Sequence, residues 1–201
     1  MELAVWSLEQ IYNHLKKYSG DIVNKVKYKT HDDELWVGWI IGKFLESKFN
    51  TDCYIGLPLK GKKEIITIED LETIKLIDED VNFDIIIIQA DAMLNGKIID
   101  YKKTFRIQIK RYKRNNPNTI DCISFIRKKL NHYEPDRNLN FAFLLESGFK
   151  LDVSIFTEFT TVFKFKFASV WFVGYHLNQK FDPFLIPIFP KFTGEIWRPS
   201  K

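Results

Sequence analysis

Apolar positions recur along this chain with two periods, and each predicts a different element. Leu8, Ile11, Tyr12 and Leu15 stand at helical spacing, which predicts an N-terminal helix over 6–19, ended by Ser19-Gly20. Val37, Ile40, Ile41, Phe44, Leu45 and Phe49 repeat the pattern and predict a helix from Asp33 to about Lys48, capped by Asp32 or Asp33. The period then shortens. Asp52–Leu57 predicts a short strand ended by a turn at Pro58–Lys63, and Glu64–Ile68 another; Asp70–Ile77 fits a short helix or an irregular excursion equally well.

Asp84–Ala90 is β-branched almost throughout, as in a strand covered on both faces. Asn95-Gly96 signals a hairpin turn into a strand that ends near Tyr112. In that strand Phe105, Ile107 and Ile109 alternate with Arg106, Gln108, Lys110 and Tyr112, so the two sets take opposite faces. Asn115–Asn118 breaks it. A helix from Ile120 to about His132 follows, capped by Asn118 or Thr119, with Ile123, Ile126 and Leu130 inward and Arg127-Lys128-Lys129 outward. Phe141–Leu145 predicts a further strand. The last quarter is aromatic: strict Phe/Lys alternation over 163–167, a strand over Val170–Tyr175, one over Phe184–Phe189 interrupted by Pro187, and a surface tail.

Composition narrows the class. With 201 residues, 45% apolar and 28% charged, the chain suits a single globular domain with no repeat, linker or low-complexity tract. Two cysteines without ligand spacing fit a reducing compartment. The N-terminus lacks a basic, apolar leader, and the longest aliphatic run, Ile85–Ile88, falls far short of the ~20 residues that span a bilayer, so a cytoplasmic protein without membrane contact is expected. The net charge of +4 is modest, but it is unevenly spread. Lys102, Lys103, Arg106, Lys110, Arg111, Lys113 and Arg114 follow one another with no acid among them, downstream of an acid-rich stretch from Glu64 to Asp84. Such a stripe suits a polyanion-facing surface, and equally a solvated strand edge guarded by lysines.

The predicted order is helix with an acid, strand, strand opening on Asp84, hairpin, strand with Gln108-x-Lys110, helix, strand. Over about 33–147 this succession resembles the PD-(D/E)xK nuclease superfamily, and Arg106–Tyr112 is most similar to the branch that writes its signature with glutamine, including the Mrr-type restriction endonucleases. The resemblance implies an α/β, restriction-endonuclease-like core: a central mixed β-sheet flanked by helices, with the N-terminal helix and the aromatic-rich β strands of about 163–190 as additions. It implies Asp84 as metal-binding aspartate, Gln108 as second ligand position, Lys110 as catalytic lysine and Glu34 as the helix acid, around Mg²⁺ or Mn²⁺. The sequence departs from the pattern in having Phe83, not Pro, before Asp84, and an amide where the signature carries an acid.

Chemistry supports these residue types independently. Phosphodiester hydrolysis needs charge neutralisation and an activated water, and a hard divalent ion held by carboxylates and neutral oxygens supplies both. A lysine beside it steadies developing negative charge. Glu34 lies roughly 70° from the centre of the Ile40/Ile41/Phe44 stripe, bordering the buried face, whereas Glu46 falls nearly opposite and is expected in solvent. Register is the harder condition. A two-residue Asn95-Gly96 loop alone pairs Asp84 with Ile107, so one odd residue in the hairpin is required to give Asp84 the parity of Gln108 and Lys110. Arg106, Arg111, Tyr112, Lys113, Arg114, Arg127, Lys128 and Lys129 are the expected contacts to nucleic acid, with DNA as partner and a homodimer where both strands are cut. Two other classes stay open: a nucleic-acid-binding module without catalysis, and a protein-interaction domain using the aromatic C-terminal strands.

Overall fold

Ser7 closes one element and opens the next. Its N–H donates to Gln10 Oε1 at 2.9 Å, and the Gln10 N–H donates back to Ser7 Oγ at 3.2 Å. This reciprocal pair satisfies two donors that a helix start would otherwise leave orphaned. It therefore separates a strand, β1 (Glu2–Ser7), from the helix α1 (Leu8–Ser19), and Trp6 belongs to the strand, not to the helix predicted to begin there.

The computed structural model describes residues 2–19, 30–59, 82–94, 97–112, 118–145, 151–174 and 183–199. The remaining elements are α2 (Thr30–Phe49), β2 (Cys53–Leu59), β3 (Ile85–Leu94), β4 (Lys97–Tyr112), α3 (Thr119–Leu130), β5 (Asp136–Leu145), α4 (Val153–Val162), β6 (Phe167–Gly174) and β7 (Phe184–Phe189). The protein is thus α/β, with an open mixed sheet whose strand order follows chain order from β1 to β7. The predictions over Glu64–Ile68 and Asp70–Ile77 lie outside the described residues. The chain divides into two compact units, Met1–Ile107 and Gln108–Lys201.

In the first unit β1, β2, β3 and the greater part of β4 are antiparallel neighbours. β2 runs through Pro58, which pairs with Leu3, so Pro58 and Leu59 are strand where a turn was predicted, and the rest of that turn lies outside the described residues. Helix α2 is buried over nearly its whole circumference, as a helix enclosed on several sides must be. Its glycines show why. A Cβ on Gly38 would meet the Ile55 and Ile85 side chains at 3.0 Å, and one on Gly42 would meet Leu8 at 2.7 Å. The helix lies close against β2 and β3 on one side and α1 on the other. Phe49, predicted in the stripe, is 46% exposed at the helix end. Ile85 to Ala90 are all buried, as their uninterrupted apolar run predicts. Each such isoleucine contributes about 1.5–3 kcal/mol of burial, so a one-residue slip of β3 is strongly disfavoured.

In the second unit β5 and β6 are parallel, with α4 as the crossover between them, and β7 returns antiparallel to β6. Asn118 caps α3: its side chain accepts the Asp121 N–H at 2.8 Å. Thr119, the rival cap, is used otherwise, its hydroxyl accepting the Asp152 N–H at 2.8 Å. Asp152 in turn caps α4 through Ser154 and Ile155. The Phe/Lys run begins as irregular chain, with strand β6 starting only at Phe167. Pro187 pairs with Trp171 next to a register shift, where a missing ladder donor is tolerated. The tail is more than surface loop, since Trp197 and Leu185 exchange two backbone hydrogen bonds of 2.9 Å.

Candidate functional site

Helix α2 and the residue just before β3 supply the two candidate acids of the first unit. Glu34 is half-buried in the second turn of α2, and the last residue before β3 is Asp84, half-buried at a bend. Asp84 therefore precedes the strand it was expected to open. Its N–H donates to the Ile107 carbonyl at 2.9 Å. From Leu94↔Lys97 to Ala90↔Tyr101 the hairpin follows the register of a two-residue turn; beyond the irregularity at Gln89/Ala90, Gln89 pairs with Lys103 and Ile85 with Ile107. Lys102 is the odd residue. Its ammonium pairs with Asp91, an exposed ion pair that accounts for the second aspartate near this strand. Asp80, four residues before Asp84, lies outside the described residues.

An acid that the helical wheel passed over is Asp33. It is 4% exposed, more deeply placed than Glu34. The same construction that sets Glu34 about 70° from the stripe centre puts Asp33 within about 30° of it. That angle is the sequence signal which singles it out. Glu46 also departs from expectation. Instead of facing solvent it accepts the Cys53 N–H at 3.1 Å and pairs with Lys43 at 2.8 Å, tying the end of α2 to the start of β2. Burial, with the Glu46 carboxylate next, pushes the Cys53 thiol up to about 12, and burial does the same to Cys122. Neither thiol is a nucleophile at neutral pH.

The basic stripe along β4 begins in this unit. Lys102 and Lys103 are exposed, Lys103 with its ammonium 4.9 Å from the Phe105 ring, and Arg106 is half-buried.

In the second unit Gln108 is 6% exposed, Lys110 and Arg111 are half-buried, and Tyr112 is 6% exposed. The supposedly polar face of β4 is therefore covered here, and the two faces do not separate core from solvent. The cover is partly helix α3: the Tyr112 ring meets Phe125 edge-on at 4.9 Å. Lys110 holds its ammonium 5.1 Å from the Tyr133 ring, a cation–π arrangement that fixes the head group of a half-buried lysine. Arg127, Lys128 and Lys129 do not act as one run, because successive helical residues are about 100° apart. Arg127 sits over Phe159 at 5.3 Å, Lys129 lies 5.7 Å from Phe125, and Lys128 points outward. Lys113 and Arg114 lie outside the described residues.

A Mg²⁺-type ion takes hard oxygens, commonly one or two carboxylates with waters completing the shell. Glu34 and Asp84 are carboxylates of that kind, and Gln108 offers a neutral amide oxygen. Among the described residues no three His, Cys, Asp or Glu side chains form a metal-ligating group. Two carboxylates with waters fit a weakly held ion of this kind and not one coordinated wholly by protein. Among the described residues, no helix is long and apolar enough to cross a membrane. The chain has no significant match to a family model, a curated protein or a solved structure.

Proposed function

We propose that this chain is a divalent-metal-dependent nuclease that hydrolyses phosphodiester bonds in DNA, a PD-(D/E)xK-type enzyme with a restriction-endonuclease-like core. Its role would be restriction or other defence against foreign DNA in the cytoplasm, with a homodimer where both strands are cut. The observation that carries the reading is the register of the β3–β4 hairpin. A nuclease site of this kind requires one odd residue there, and Lys102 is one: Ile107 pairs with Ile85 and not with Asp84. The succession α2–β2–β3–β4–α3–β5 supports it further.

Bound Mg²⁺ or Mn²⁺ would neutralise the phosphate and lower the pKa of the attacking water. Asp84, Glu34 and the Gln108 carbonyl are the residues to hold the ion. Lys110 steadies the negative charge that develops on the phosphate. Arg106, Arg111, Lys113, Arg114 and the α3 cations contact the backbone of the nucleic acid, while Tyr112 is spent on packing against Phe125.

Gln108, an amide where the signature carries an acid, favours a second reading, the same fold binding DNA without cutting it. One experiment separates the two: cleavage of supercoiled and linear DNA with Mg²⁺, Mn²⁺ or EDTA, by the wild type, Asp84→Ala and Lys110→Ala. Metal-dependent cutting lost in both variants supports the nuclease. Metal-independent binding with no cutting moves the assignment to the binding module, and cutting that survives both substitutions rejects this site.

A further inference from the structure

Four rings of the second unit, Phe159, Phe163, Phe165 and Phe189, pack into a base beside two lysines. Phe163 ends α4, its N–H donating to the Phe159 carbonyl at 2.9 Å. Its ring packs 5.2 Å from Phe159 and 4.9 Å from Phe165, and Phe165 stacks on Phe189 at 4.8 Å. Along 163–167 the phenylalanines are half-buried or buried, whereas Lys164 and Lys166 are exposed. The alternation that resembles a strand is thus an irregular segment pinned by its rings. Those rings are spent on the core and offer no platform for bases.

Arg127 joins this surface from α3. Its guanidinium lies 5.3 Å over Phe159, the ring against which both Phe163 and Phe165 pack at 5.2 and 5.8 Å. Helix α4 brings one acid, Glu158, exposed beside Phe159. Three cations therefore share one aromatic base, with Glu158 on α4 and Asp136, the register partner of Phe167, as acids near it among the described residues.

We propose that Lys164 and Lys166, together with Arg127, form a ridge that grips the phosphate backbone of a nucleic acid. The proposal rests on the nucleic-acid reading above and extends it to a segment outside the basic stripe of β4. Lysines on flexible stems act as point charges without directional demand, which suits contacts independent of base sequence. A membrane surface fits less well, because binding there calls for exposed apolar side chains, and of this segment's neighbours only Val162 is strongly exposed, at 67%.

The test is fluorescence anisotropy of a short labelled DNA duplex, without divalent ion, over a range of salt. It compares the full-length wild type, Lys164→Glu/Lys166→Glu, and the control Lys48→Glu on α2 of the first unit. The expected result is binding at least about tenfold weaker for the double variant near 0.1 M salt, with a salt dependence shallower by about 1.8 in log–log slope, and no change for the control. Wild-type binding that the double variant retains in full overturns the ridge and leaves the nucleic-acid reading standing. No wild-type binding to duplex or single strand overturns that reading, and the ridge with it. Attachment to phosphatidylserine vesicles, lost in the double variant while DNA is ignored, replaces the partner by an anionic membrane. An unchanged melting temperature confirms that the double variant is folded, as substitution at two exposed positions predicts.

Discussion

Glu46 accepts the backbone N–H of Cys53 at 3.1 Å across the turn that joins α2 to β2. The carboxylate is mostly sheltered, with 24% of its side chain exposed, and Lys43 holds its other oxygen. Hydrogen bonds to a charged partner contribute roughly 1.5–3 kcal/mol, and removing the acceptor leaves a sheltered N–H without one. Glu46→Ala is expected to cost about 2 kcal/mol in urea denaturation, whereas Glu46→Gln keeps an oxygen there and costs clearly less. Equal costs for the two would show that the bond to Cys53 contributes little.

The two thiols set the behaviour of the fold at high pH. Both are buried and pushed up to about 12, so the folded state keeps its protons where an unfolded thiol gives them up near 9. Stability is therefore fully present below pH 9 and declines as pH rises from there toward 12, the unfolded chain binding fewer protons over that window. Thiol titration with a disulfide reagent at pH 8 should find both cysteines only after denaturant is added. Rapid labelling of the native protein would place them at the surface.

Gly174 ends β6 where nothing larger fits. An added Cβ would lie 2.4 Å from the Phe184 ring and 2.9 Å from the Leu145 carbonyl, and Phe184 is fully buried. Gly174→Ala should destabilise the protein by about 1–3 kcal/mol or more, the usual range for overpacking. Thermal melts will show this directly.

Lys110 can be separated from its neighbours by comparing stability with activity. Its cation–π contact with Tyr133 contributes about 0.5–1 kcal/mol at a partly exposed site. If it acts at the phosphate, Lys110→Met should lose at least about 100-fold in cleavage while melting almost unchanged. A melting loss beyond about 2 kcal/mol, with activity falling in proportion, would mark it as a packing residue.

Much of this architecture is legible from local pattern, and the exceptions have physical causes. Helices α2 and α3 and strand β3 carry uninterrupted apolar periods, and Asn118 supplies a cap. Strand β1 is hidden because Ala4 and Val5, four and three residues before Leu8, continue the spacing of α1 backwards, and the Ser7–Gln10 pair marks the boundary. Helix α4 is hidden because Val153, Ile155, Thr157, Thr160, Thr161 and Val162 are β-branched, favouring a strand by propensity. Its signals are the Asp152 cap and the Phe156/Phe159 spacing, both buried rings. Conversely, Phe163–Phe167 has strand alternation without being a strand, because packed rings impose the same in-and-out pattern on irregular chain. For the candidate site the residue types are readable, whereas the irregularity that skips Lys102 and the depth of each side chain are not. The wheel names Glu34, yet Asp33 is the acid that lies deeper.

Strand β1 has a consequence for how the chain is made. Its residues pair with β2, Ala4 with Leu57 and Trp6 with Ile55, so two whole helices are synthesised between one partner and the other. Until β2 leaves the ribosome, Leu3-Ala4-Val5-Trp6 is an apolar strand with nothing to pair with, and such segments invite association with other nascent chains. The hairpin of β3 and β4 has no comparable wait. Among the described strands, β1 therefore waits for its partner across two helices, and its apolar residues stay open to association for that time.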